Sequence, residues 1–232
     1  MRAFRRPLFL PALAAWFSLA LVLVAVIFLP LGTASFVLPK VFFLALAALL
    51  GALAALRDPE RDALAILLTT WTGRAFLALI FVTAFSPLWS IAPLQSIVGA
   101  SPRFLGVLVQ LSSFAIALAG IVLVQREGGR RWLLRSLLLA NVLVTLYGFL
   151  QLIGLDPFAV LWQQGERFLG RVFSTIGQPT MLGNFLILTL PFIILESRKK
   201  SAGWRWFWMI LILLNLAVLL GTASRGALLG LA

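Results

Sequence analysis

The opening stretch, residues 1–31, reads MRAFRRPLFLPALAAWFSLALVLVAVIFLPL. Arg2, Arg5 and Arg6 precede an apolar run, Phe9–Leu31, that contains no charge at all. A positive start followed by apolar residues also opens a secretory signal. This run continues past the length of a signal's apolar region and lacks a clear small-residue cleavage site, so it reads as a retained first membrane helix. A spanning helix needs about 20 mostly apolar residues. Working outward with that criterion, six more segments qualify or come close: Phe36–Leu56, Ala75–Trp89, Phe104–Val124, Leu133–Leu152, Thr180–Leu195 and Trp204–Leu220. Ala63–Trp71 reads as a short interfacial helix leading into the third span, or else as part of one long tilted helix with Arg74 inside it. The expected fold is an all-α polytopic transmembrane bundle of about seven spans plus the start of an eighth, one transmembrane domain over residues 1–232.

Composition demands the same solvent. Of the 232 residues, 62% are hydrophobic and 11% charged, against roughly 45–50% and 25% in a soluble domain. One soluble core cannot bury that excess, so lipid covers much of the surface. There is no Cys and no His. That excludes disulfides, thiolate nucleophiles, Cys/His zinc sites and a histidine base within these residues. The 7 acidic residues are scattered and suggest no carboxylate metal site. No metal and no cofactor is expected.

The net charge of +12 does not point to nucleic acid, because the basic residues form short clusters between apolar runs. Such clusters mark the ends of membrane helices. With the N-terminus in the cytoplasm and the spans alternating, fourteen of the 19 basic residues fall inside, and Lys40, Arg103, Arg167, Arg171 and Arg225 fall outside. The bias satisfies the positive-inside rule, which one missed helix would scramble. Trp71, Trp132 and Trp204 fall at inner ends, and Trp89 and Trp162 at or beyond outer ends, where amphipathic rings favour the interface. Ile153–Pro179 is the longest outer loop, and its PFAVLWQQ could lie flat on the membrane surface.

The basic residues against the bias are snorkelling anchors or loop charges in the plainest reading, which suits Lys40. The four arginines suggest more. A guanidinium stays charged and grips phosphate oxygens as a fork, so arginines converging at the outer boundary suit a lipid-linked diphosphate. Arg171 and Arg225 are the stronger candidates; Arg103 and Arg167 come second. In RFLGRVFSTIGQPTMLGNFLILTLPF, Gly177-Gln178-Pro179 interrupts the chain just before a helix, with Pro179 suited to the first turn. Gln178, Thr180 and Asn184 place polar groups at that helix's mouth. They cap it and bond to neighbours, or join Arg171 and the helix N-terminus in holding an anion. In LLGTASRGALLGLA, small residues surround Arg225, and Gly226 and Gly230 form a small-xxx-small pair. An arginine between membrane helices is costly unless it is paired or faces a polar cavity.

An arginine, a Gly-Asn-Pro-Asn-like turn opening a helix, and a Ser-Arg-Gly turn one helix later resemble the O-antigen ligase and polymerase family. WSIAPLQSIVGASPRFLG is similar to that family's first outer loop, where a Ser-rich turn precedes an arginine and a glycine. The resemblance covers roughly Phe76–Ala232 and departs at GQPT, where the family more often has two asparagines. It implies a glycosyltransferase of the bacterial cytoplasmic membrane. The partners it implies are an undecaprenyl-diphosphate-linked glycan and an acceptor (lipid A core, a growing polysaccharide or a protein), besides the membrane lipids. It also implies a later outer loop carrying a functional histidine, so the catalytic residues are expected beyond residue 232 and this stretch alone is expected to be inactive. The apolar stub after GTASRG reads likewise as the first turns of an eighth helix in a longer protein. The rival readings are a transporter or flippase for a lipid or amphipathic solute, which predicts inverted repeats, and a membrane subunit with no site.

Overall fold

The computed structural model describes residues 9–29, 36–56, 67–100, 104–125, 127–159, 170–198 and 202–231. Every element among them is helical. They are α1 (Phe9–Val26), α2 (Val37–Leu56), α3 (Trp71–Phe85) with a 3-10 extension (Ser86–Trp89), α4 (Pro93–Val98) and α5 (Val107–Val124). After these come α6 (Glu127–Leu152), a 3-10 turn (Ser174–Ile176), α7 (Pro179–Arg198), α8 (Ala202–Gly221) and α9 (Arg225–Leu229). All seven expected spans carry a helix.

Five of the helices have both the length and the hydropathy of a span: Trp71–Trp89, Val107–Val124, Gly128–Leu152, Pro179–Arg198 and Gly203–Gly221. Between 17% and 39% of each is buried within the protein. Apolar helices with so little protein cover need lipid as their solvent, and only an intact helix pairs its own backbone there. The chain is a multi-pass membrane protein.

Several ends differ from the sequence expectation, each for a local reason. The first helix stops at Val26 rather than Leu31, because the residue before Pro30 is pushed out of the helical region. α6 starts at Glu127, well before Leu133. Glu127, Arg130 and Arg131 are good helix formers, so the helix extends beyond its apolar part. The long tilted helix through Arg74 does not form. Thr70 is extended (φ −88°, ψ 148°) and its side chain accepts the Gly73 N–H at 3.0 Å, an N-cap that starts α3 afresh. Arg74 folds back over the break, donating from Nε to the Leu68 carbonyl at 2.9 Å and lying 5.9 Å from the Trp71 ring centroid.

The contacts group into two compact units, Met1–Val24 with Val37–Leu133, and Ala25–Phe36 with Leu134–Ala232. In the first, small residues let helices approach closely, as membrane packing requires. Its core is Ala14, Phe17, Ala20, Ala47, Ala119 and Leu123. A Cβ on Gly51 of α2 would lie 2.6 Å from Ala119 Cβ and 3.0 Å from the Phe17 ring. Lys40, in the first turn of α2, is half-buried and donates to the Val24 carbonyl at 2.9 Å.

The second unit packs α6, α7 and α8 around Leu138, Ile193, Trp208 and Leu211. The three helices also share a polar knot. Asn215 Nδ2 donates to Asn141 Oδ1 (2.8 Å) and Thr145 Oγ1 (2.9 Å), and Asn141 Nδ2 donates to Thr189 Oγ1 (2.7 Å). The Thr189 hydroxyl in turn donates to the Phe185 carbonyl at 2.8 Å. All four side chains are at most 2% exposed. In hydrocarbon, polar side chains that bond one another act as glue between helices.

Candidate functional site

The site is built at the end of α6 where the chain leaves Leu152. Gln151 uses both ends of its amide. Its Oε1 accepts the N–H groups of Phe173 (3.3 Å) and Ser174 (2.7 Å), and its Nε2 donates to Asp156 Oδ2 (3.0 Å). Tyr147, one helical turn earlier, donates to Asp156 Oδ1 at 2.8 Å, and the same oxygen accepts the Phe158 N–H at 2.9 Å. Ser174 Oγ donates to the Val144 carbonyl at 2.6 Å, and Thr175 Oγ1 to the Ala25 carbonyl at 3.0 Å. Both described arms of the Ile153–Pro179 loop are therefore fastened to one helix end. Aromatic contacts reinforce the fastening: Phe28 stacks on Tyr147 at 5.8 Å, and Phe36 meets Phe173 edge-on at the same centroid distance. Gly177 has to be glycine here. Its φ is +86°, and a Cβ would come within 2.3 Å of the Phe36 ring.

So fastened, the loop delivers Arg171 to the turn between α8 and α9. The Val172 N–H donates to the Gly221 carbonyl at 2.9 Å. Arg171 Nε donates to the Thr222 carbonyl at 2.8 Å. The turn itself is closed by Thr222 Oγ1, which donates to the Leu219 carbonyl (2.7 Å) and accepts the Ser224 N–H (3.3 Å). Thr222 is fully buried and Ser224 is 4% exposed. From that buried base the chain emerges as α9, whose first residue is the exposed Arg225. α7 presses against the turn from another direction: a Cβ on Gly183 would lie 2.6 Å from Ala227 Cβ. The close approach expected from Gly226 and Gly230 belongs instead to Gly183 and Ala227. A Cβ on Gly226 would meet nothing within 4 Å.

Two residues in these facing loops have positive φ without being glycine, Ser174 at +49° and Ala223 at +47°. Such conformations cost free energy and persist where surrounding bonds over-determine them. Here the bonds to Gln151, Val144 and Leu219 do so.

The structure thus joins Arg171 to the segment that carries Arg225. With Nε engaged by Thr222, Arg171 keeps Nη1 and Nη2, which make no hydrogen bond among the described residues; the side chain is half-buried. A guanidinium held by Nε presents the remaining pair of nitrogens as a fork for oxyanions. Gln178 and Asn184 are both exposed, just before and within the first turns of α7. Among the described residues neither side chain caps the helix or bonds a neighbour; Gln178 contributes its carbonyl, which accepts the Leu182 N–H at 2.9 Å. Arg103 and Arg167 lie outside the described residues, as do Trp162 and most of PFAVLWQQ.

Sequence reasoning missed Tyr147, Gln151 and Asp156, the residues that position the loop. One signal was legible: Gln151 and the chain's single Tyr lie one turn apart on a spanning helix, shortly before an Asp. Among the described residues no three His, Cys, Asp or Glu side chains stand together to hold a metal. A separate cavity of about 440 Å³ lies along the other half of α7, between Ile187 and Arg198, and is mostly apolar.

The fold and this site define an all-α, multi-pass membrane protein in whose second unit the loop of Arg171 is bonded to the turn before Arg225. Set against known protein families, curated proteins and solved structures, the chain matches none of them.

Proposed function

We propose that the Arg171–Arg225 cluster binds the diphosphate of a lipid-linked glycan at the outer face of the bacterial cytoplasmic membrane, in an O-antigen ligase-like glycosyltransferase. The carrying observation is the pair of bonds from Arg171 Nε to Thr222 and from Val172 N–H to Gly221, which brings the loop of Arg171 to the turn that leads into Arg225. Glycosyl transfer from a diphosphate carrier builds charge on the leaving group. Preorganised donors aimed at that charge lower the barrier without a metal. The Nη pair of Arg171, with Arg225 three residues past Thr222, supplies such donors. On this reading they lie at the depth of lipid headgroups, where an undecaprenyl diphosphate carries its phosphates. The acceptor is a glycolipid, a glycan or a protein hydroxyl.

The test is glycan transfer in membranes carrying the full-length protein. Arg171→Ala and Arg225→Ala should each abolish transfer while membrane insertion stays normal. Lysine at either position should restore only part of it, because a point charge does not reproduce the fork. Arg198→Ala, at the opposite end of α7, should leave transfer nearly unchanged. Wild-type transfer by both alanine variants would place the diphosphate elsewhere.

A further inference from the structure

Between Arg74 and Arg103 the sequence carries no Lys, Arg, Asp or Glu. This stretch includes the connection between α3 and α5, which in most membrane proteins is a polar segment in water. Its side chains are arranged inside out. The apolar ones face outward: Leu88 is 72% exposed, Trp89 80%, Leu94 75%, and Ile91 as exposed as a residue can be. Ser90 and Ser96 are half-buried and bond each other, Oγ to Oγ at 2.6 Å, while Ser90 Oγ also accepts the Ala92 N–H at 3.2 Å. Several backbone groups are paired within the loop. Ser90 N–H donates to Pro87 (3.2 Å), Ser96 to Ala92 (3.0 Å), Gly99 to Gln95 (2.7 Å) and Phe104 to Ala100 (3.0 Å). The chain closes on itself at its base. Gly99, at φ +95°, touches the returning Phe104–Gly106 backbone so closely that a Cβ there would lie 2.4 Å from the Phe104 carbonyl carbon.

We infer that this loop, residues 88–98, is a membrane-inserting element that lies in the interfacial layer of the bilayer at the shared end of α3 and α5. Water gains little from such a surface, since Gln95 is the only exposed polar residue among residues 88–98. Hydrocarbon and headgroup carbons favour it, and the internal backbone bonds lower the cost of leaving water. The apolar face also continues the lipid-facing surface of α3, where Phe81 and Val82 are 62% and 64% exposed. Trp89 stands where the span ends, the depth that an amphipathic indole prefers. The occupant is therefore the lipid of the bilayer that the helices already cross, and the inference does not depend on the transfer activity proposed above.

The absence of cysteine makes the test direct. Single cysteines at Ile91 and Leu94 are labelled with an environment-sensitive fluorophore in proteoliposomes that contain lipids spin-labelled at shallow or deep positions. Leu188→Cys, on the exposed face of α7, is the lipid reference, and Lys200→Cys, in a basic segment, is the water reference. Emission from positions 91 and 94 should be blue-shifted, with roughly half or more of it lost to shallow spin labels and less to deep ones, as for an element seated at the headgroup boundary. Emission matching the Lys200 site and indifferent to the labelled lipids would overturn the inference. So would blue-shifted emission that no spin-labelled lipid quenches, which would mean that protein, a second copy or another subunit, covers the loop.

Discussion

Gln151 shows how much one amide can organise. It accepts two backbone N–H groups from the arm that carries Arg171 and donates to Asp156 in the other arm. Replacing it with leucine leaves the Phe173 and Ser174 N–H groups without their acceptor, and each unsatisfied buried group costs about 1–3 kcal/mol. Gln151→Leu should lower the thermal stability of the purified protein and open the 153–178 loop to proteolysis. Gln151→Glu keeps the acceptor but sets a second carboxylate against Asp156, and it should destabilise as well. A protease-resistant loop in both variants would remove Gln151 from its anchoring role. At this scale the sequence was informative about residue type and silent about partners. Arg171 and Arg225 stand out because they oppose the charge bias. That Arg171 spends its Nε on the Thr222 carbonyl depends on a residue 51 positions away. For Gln178 and Asn184, polarity at a helix mouth suggested capping, but the exposed side chains project away from the packed face of α7 that Gly183 defines.

Among the elements, α9 is the least self-sufficient. It has five residues, too few to be stable alone, since nucleating a helix is unfavourable and short helices rely on packing. Its support is the Gly183–Ala227 contact with α7. Gly183→Val should wedge the two apart and displace Arg225, reducing both thermal stability and any transfer activity. Gly226→Ala, one residue from Ala227, adds a methyl that meets nothing within 4 Å, and it should be neutral or slightly stabilising, as alanine favours the helix. Equal damage from both substitutions would contradict the packing described. The helices themselves were readable because apolar length is a local property. Their ends were less so: hydropathy registers the apolar centre of α6 but not the charged turns that prolong it, and it cannot see the Thr70 cap that separates α3 from the residues before it.

For the whole molecule, the fourteen-to-five division of basic residues makes a prediction about sidedness. Cysteines introduced at Glu127 and Glu166 should differ in intact cells, with a membrane-impermeant thiol reagent labelling position 166 alone. Labelling of both, or of position 127 alone, would reverse or dissolve the proposed orientation. The exposed face of the second unit, with Leu188 71% and Leu213 65% exposed, is compatible with lipid on either assignment, so only the charge bias speaks to direction.

The sequence by itself determined the solvent, the helical class and the positions of the apolar helices. Each of these follows from sums over neighbouring residues: apolar length, charge clusters, a proline or a cap at a helix end. Tertiary structure alone decided which lone polar residues meet. Asn141 and Asn215 are 74 residues apart and share one buried knot with Thr145 and Thr189. Arg171 meets the turn before Arg225, and Gly183 rather than Gly226 makes the close helix contact. A hydrogen bond or a close contact is a relation between two places in space. Many pairings of these spans satisfy the same hydropathy pattern, and only the packed arrangement selects one.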